Sequence, residues 1–433
     1  MAGEWQATTL QEFCRKPNGG IQTGPFGSQL HRSDYNEIGV PVIMPTNIQN
    51  GRLSEDGIAR VSEAMADQLR RHRVRLGDII FSRRGEVDKC AVVTDREVNW
   101  LCGTGCLLAR VDPKIADPRY IGYHISLPET REWLRQNAVG LVMPNLNTGI
   151  LERIPIHAPD RQEQLAIADL LASLDAKIDL NRQMAATLED MARALFKSWF
   201  VDFAPVHAKA GGRDTGLPAD ITALLPDGFD NEGLPKGWVW KRADAIARSV
   251  RSTADPKAMP PETPYVGLEH LPRKSLGMSS HGHAHEVESG KLYFKAGDLL
   301  FGKLRPYFHK VSIMPFEGIA SSDIFVFRAK SEKYRALMYF GFSEEKFVAS
   351  ASGASTGTRM PRADWSYMSE QQFASDDGKV LEAFNEIALS HATQISERLA
   401  ECQKLEQLRD ALLPKLLSGE LRVDGAADSI AAA

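Results

Sequence analysis

Residues 162–200 read QEQLAIADLLASLDAKIDLNRQMAATLEDMARALFKSWF, a run with no proline or glycine. Apolar or small side chains fall at Ile167, Leu171, Leu174, Ile178, Ala185, Leu188, Ala192, Leu195 and Trp199, with Asn181 filling the one gap. The steps alternate between four and three, which is the seam of a long helix packed on another helix. At 1.5 Å per residue this helix is about 58 Å long, too long for the domain it leaves to cover. A second such helix is expected over 376–420, with part of a seam at Phe384, Ala388, Ile395, Cys402, Leu405, Leu412 and Leu416. His391, Arg398 and Arg409 interrupt that seam, and Leu399 and Leu408 offer another register. Pro414 is expected to kink or end this helix near Leu413, and Gly419 to stop it.

The two helices belong to a repeat. LGDIIF at 76–81 returns as AGDLLF at 296–301, so Gly77 and Gly297 stand 220 residues apart. GLVMP at 140–144 matches GTRMP at 357–361, and Ile178, Leu188 and Leu195 match Ile395, Leu405 and Leu412, all 217 residues apart. A tryptophan opens each half, Trp5 and Trp240, and a proline-led strand follows in each, PVIMPTNI and PYVGLEHL. A nearly constant offset across several blocks means two copies of one unit, each a mixed region followed by a long helix. The expected fold class is α+β: two heads separated by two long antiparallel coiled-coil helices with pseudo-two-fold symmetry. Heads held ~34–36 Å apart could read adjacent turns of one DNA groove.

Working outward, strand-like runs (GDIIFSRR, AVVTD, CLLARV; GDLLFGK, KVSIM, DIFVFRA) alternate in the heads with short helices near 117–137 and 332–348. Residues 202–237 are dense in proline and glycine and lose periodicity, which reads as a linker. The division is a head over 1–158, a helix over 159–201, a linker over 202–236, a head over 237–375, a helix over 376–420 and a flexible tail over 421–433.

The 433 residues carry a net charge of −4, with 43% hydrophobic and 25% charged residues. Ordinary globular composition excludes large-scale disorder, and the charge excludes a binder that works by bulk basicity, though not one with local basic patches. Five cysteines make no disulfide scaffold. No secretory signal and no membrane-length apolar run are expected, so the reading is a cytoplasmic protein.

Gly24-Pro25-Phe26-Gly27-Ser28 forces a turn that projects Phe26 and exposes backbone N–H groups, and it lacks the Lys-Ser/Thr of a P-loop. With Thr23 and Ser28, Phe26 is a candidate for contact with a phosphate or base edge. Cations cluster locally in RRHRVR (70–75) and at Arg83, Arg84 and Lys89. The second copy offers Lys303, Arg305, Tyr307, His309 and Lys310 after its own GD strand, and Arg359 stands by GTRMP. Cations interleaved with aromatics suit phosphate contact and base reading. Cys102 and Cys106 have no second pair at zinc spacing and read as core cysteines; His281, His283 and His285 read as an exposed loop. Asp323 with Glu344 and Lys346 mimics a nuclease pattern, but the first copy lacks it, and no methyltransferase, serine-hydrolase or zinc-protease motif is present. A coiled-coil adaptor without DNA affinity is the other alternative.

These pieces resemble the specificity subunits of type I restriction–modification enzymes. The resemblance rests on TGPFGSQL with GVPVI downstream, GDIIFSRRG, GLVMPNLN before IPIHAPDRQEQLAIADLLASLDAKID, ALFKSWFVDF, and LLPKLLSGELRV, and covers residues 1–422. The stretch before the second helix, MSEQQFASDDGKVLEAFNEIA, departs from the IPIHAPDRQEQ form. The resemblance implies that each head is a target recognition domain reading one half of a split, asymmetric double-stranded DNA site. It implies helices that dock two modification subunits, here through Leu171, Ile178, Leu188, Leu195, Ile395, Leu405 and Leu412. It also implies no catalysis and no cofactor in this chain: S-adenosylmethionine, ATP and Mg²⁺ would sit on the modification and restriction subunits.

Overall fold

A computed structural model describes residues 5–423 apart from 16, 141, 354–360 and 377. The chain forms two compact units, Met1–Ala176 with Leu405–Ala433, and Lys177–Lys404. Each takes one head and a stretch of both long helices, so the boundaries fall inside the helices.

In unit one, Gly20–Thr23, Cys106–Arg110, Ile79–Ser82 and Cys90–Val92 form an antiparallel sheet in that order. A second sheet orders Leu101–Cys102, Val40–Ile43, Ala59–Val61 and Tyr35–Asn36. Helices Pro118–Ser126 and Pro128–Asn137 follow. Unit two repeats the first sheet with Ala247–Val250, Ile324–Ala329, Leu299–Gly302 and Val311–Ile313, then places helices Arg335–Phe342 and Glu345–Gly353. The strand-like runs are all strands, and both heads are α+β.

The repeated GD has a physical cause. Gly77 and Gly297 take φ of 80° and 84°, which a side chain disfavours. Each lets the following aspartate turn inward. Asp78 is buried and accepts from the Arg75 amide at 2.7 Å and from Arg110 Nε and Nη2 at 2.7 and 2.6 Å. Asp298, equally buried, accepts from the Lys295 amide at 2.8 Å and from Arg328 Nε and Nη2 at 2.6 Å each.

The first long helix spans Arg161–Phe196 and closes in a π-turn at Lys197–Val201. The second spans Lys379–Ser418 and passes through Pro414, so the proline does not end it. Proline costs the bond to the residue four earlier, about 3 kcal/mol in a helix interior. Burial of Leu412, Leu416 and Leu417 in the unit-one core offsets that loss at about 1.5–3 kcal/mol each. Gly419, at φ 77°, then stops the helix.

Within unit one the helices run antiparallel: Glu163 pairs with Arg422, and Asp175 with Arg409 at 2.8 Å. Within unit two Lys177 pairs with Glu401 at 3.2 Å, and the Phe196 and Phe384 rings lie 6.0 Å apart, in the same sense. Arg409, which breaks the apolar pattern, is absorbed here, because the second Asp175 oxygen accepts from Tyr123 at 2.6 Å. Residues 202–237 are not a bare linker. They hold helices Ala204–Ala210 and Ala219–Leu224, and Val206, Leu225 and Leu234 are buried in the unit-two core. Phe203 meets Trp238 edge-on at 5.8 Å, so widely spaced aromatics replace a periodic stripe. In the expected tail, Leu421 and Val423 pack against the unit-one core, and residues 424–433 lie outside the described residues. Among the described residues no helix is long and apolar enough to cross a membrane.

Candidate nucleic-acid interface

In unit one the candidates meet at one end of the first sheet. Thr23 ends its strand opposite Leu107, and the Gly24 amide donates to the Cys106 carbonyl at 3.0 Å. A Cβ on Gly24 would stand 1.9 Å from the Gly103 oxygen, so only glycine turns here. Phe26 emerges 57% exposed, with Ser28 also exposed beyond it. Arg83 leaves the neighbouring strand, its amide donating to Gly105 at 2.9 Å, so Thr23 and Arg83 flank the same Gly105–Cys106 segment. Its Nε is buried without a hydrogen-bond partner among the described residues. Arg84 is exposed and bridges to Asn145, and the Gly85 amide donates to the Pro144 carbonyl at 3.1 Å. That brings in Val142 and Met143, 99% and 60% exposed, which the sequence reading did not single out as contacts. Lys89 lies across the same hairpin but pairs with Glu86 at 2.6 Å. Arg73 of the RRHRVR run is drawn off by Glu63 and Asp67.

In unit two the equivalent sheet end carries Arg251 after Val250, and Lys303, whose amide donates to the Asp323 carbonyl at 2.8 Å. The lysines turn inward. Lys303 Nζ donates to the Ser322 carbonyl at 2.7 Å and lies 4.6 Å from the Phe325 ring centre. Lys310 Nζ donates to the Leu268 carbonyl. Burial lowers both ammonium pKa values from the ordinary lysine range. Arg305 and Tyr307 remain outward, Tyr307 at 55% exposure, on a single turn, Pro306–Phe308. His309 is buried, its Nε2 at 2.9 Å from the Ser343 carbonyl. Arg359 lies outside the described residues. Sequence reasoning missed Arg273, whose guanidinium lies 4.2 Å from the Phe308 ring centre; the basic PRK after Leu271 was the available signal.

The remaining motifs resolve structurally. Cys102 and Cys106 are core residues, and His283 and His285 stack at 5.6 Å beside Glu262. Among the described residues no group of three or more His, Cys, Asp and Glu is placed to hold a metal ion. Asp323 accepts from Arg362 at 2.9 Å, while Glu344 accepts from the Lys346 amide at 2.6 Å, so each has its own local partner. Of the expected docking residues, Leu171, Ile178, Ile395 and Leu412 are buried, and Leu188, Leu195 and Leu405 half-buried. Their apolar groups are largely buried within this chain.

Comparison with known proteins bears on what two such heads are for. Residues 2–190 match the family described as type I restriction modification DNA specificity domain. The HindI specificity subunit of Haemophilus influenzae is 22% identical over 90% of this chain and 96% of its own length. The chain is thus similar to type I specificity subunits, through a specificity domain over residues 2–190 and at low identity over most of its length. The MjaIX specificity subunit of Methanocaldococcus jannaschii is 26% identical over 70% of this chain and 69% of its own. The crystal structure of the type I S subunit from M. genitalium shares the fold, with a TM-score of 0.59, 12% identity and 96% of each chain covered.

Proposed function

We propose that this chain is the non-catalytic, sequence-reading subunit of a type I restriction–modification complex, and that it reads a bipartite, asymmetric site in double-stranded DNA. The carrying observation is that both units build the same four-stranded sheet and present different side chains at its equivalent end: Phe26 and Arg84 in one, Arg305 and Tyr307 in the other. Equal frames with unequal tips give two half-sites of different sequence. The antiparallel helix pairing within each unit supports a coiled-coil spacer that sets half-site separation and docks two modification subunits. S-adenosylmethionine, ATP and Mg²⁺ belong on those and on the restriction subunits, and the complex works in the cytoplasm on DNA.

The test is to co-express the chain with its modification subunit and map modified bases genome-wide. Exchanging residues 237–375 for another head should change one half-site and leave the other. Deleting four residues within 175–190 should change the spacing between half-sites or abolish assembly. A motif in which both halves change on the exchange, or whose spacing survives the deletion, would refute the reading.

A further inference from the structure

We propose that Arg273 is a base-reading residue of the second head and that, with Arg305, it selects guanine in the half-site this head reads. The inference rests on the proposed function and names the chemistry of that site. Lys303 and Lys310 are committed to backbone carbonyls, and Arg362 to Asp323. Arg273 and Arg305 are exposed, and among the described residues no carboxylate pairs with either. Both guanidinium groups lie over the one Phe308 ring, at 4.2 and 6.0 Å from its centre. Contact with a ring face leaves the N–H groups in the guanidinium plane free to donate, while it restrains the side chain before any ligand arrives. A planar fork of donors fits guanine, which offers N7 and O6 together; adenine sets a donor beside its N7 and repels one arm of the fork.

The ring itself is held. Arg305 and His309 take φ of 51° and 53°, a conformation that costs a non-glycine residue about 1–3 kcal/mol and persists only where the surroundings impose it. Here the Arg305 amide donates to the Pro361 carbonyl at 2.9 Å, the Lys274 amide to the His309 carbonyl at 2.8 Å, and the His309 side chain is fixed against Ser343. The turn is therefore a rigid mount for two arginines and the exposed Tyr307.

The experiment uses the full chain with its modification subunit, comparing wild type, Arg273→Ala, Arg273→Lys and, in the other head, Arg84→Ala. The readouts are the modified-base motif and the salt dependence of DNA binding. Arg273→Ala and Arg273→Lys should each relax one guanine position in one half-site, with a tenfold or greater loss of discrimination, and leave the spacing and the other half-site intact. An unchanged motif overturns the proposal, as does a second half-site without guanine. So does uniform weakening with the salt slope reduced by about one, which marks a phosphate contact. If Arg273→Ala and Arg84→Ala instead alter the same half-site, or wild type directs no modification, the two-head reading itself fails.

Discussion

Replacing Asp298 by alanine should destabilise unit two by about 3 kcal/mol. The carboxylate is 1% exposed and takes two arginine bonds of 2.6 Å each and one backbone bond of 2.8 Å. Removing one partner of a buried ion pair costs roughly 3–5 kcal/mol, because the other charge stays desolvated. Arg328 keeps 26% of its side-chain surface, so it recovers some hydration, and the lower end of that range applies. With a urea m-value of about 2 kcal/mol/M, the transition assigned to this unit should fall by about 1.5 M. The assay is urea unfolding followed by tryptophan fluorescence, completed by Arg328→Ala and the double variant. The double variant should be less destabilised than the summed singles, with a coupling of about 1–3 kcal/mol. A single-variant loss under about 1 kcal/mol, or strict additivity, would refute the claim that the repeated GD exists to seat this pair. Because Asp298 precedes the strand Leu299–Gly302 that leads to Lys303 and Arg305, the residual folded protein should lose second-half-site reading before first.

Gly24→Ala would drive a Cβ against the Gly103 carbonyl, and the obstacle is backbone on both sides. Thermal melting should show unit one destabilised, and the modified-base motif should lose the first half-site selectively. Arg305→Ala should weaken specific binding by about 1–3 kcal/mol in a filter or fluorescence assay, whereas Lys303→Ala should leave the recognised bases unchanged, since its ammonium is already spent on Ser322. His124 is 4% exposed, and burial first, then the neighbouring His157, lowers its pKa from 6.5 to about 4. The unfolded chain binds that proton first, so the contribution is intact above about pH 6.5 and is lost as pH falls toward 4, by about 3 kcal/mol in all. Wild type and His124→Gln, compared by urea unfolding from pH 7 to 4, should differ in slope across that window; parallel profiles would remove His124 from the account.

Periodicity and repetition carried the architecture into view because both are properties of spacing. The 4-3 seam from Ile167 to Trp199 needs only the chain to be read, and so does the echo of LGDIIF in AGDLLF. What escaped depends on partners far apart in sequence. Arg409 looked like a defect in the seam until Asp175, 234 residues away, gave it a counter-charge. Pro414 looked like a stop because its local cost is visible and the burial of Leu416 and Leu417 is not. The same asymmetry governs the interface. A lysine and an arginine after a GD strand look alike as letters, yet Lys303 finds a carbonyl 19 residues on while Arg305 finds none and stays outward. The difference follows from shape. A flexible ammonium can fold back onto nearby backbone, whereas the planar guanidinium of Arg305 lies over the Phe308 face with its donors unspent. Around this turn the flat cations Arg273 and Arg305 are left for the ligand, and the round ones, Lys303 and Lys310, are consumed by backbone carbonyls. Sequence changes at Arg273 and Arg305 should therefore move specificity, and changes at Lys303 and Lys310 should move stability.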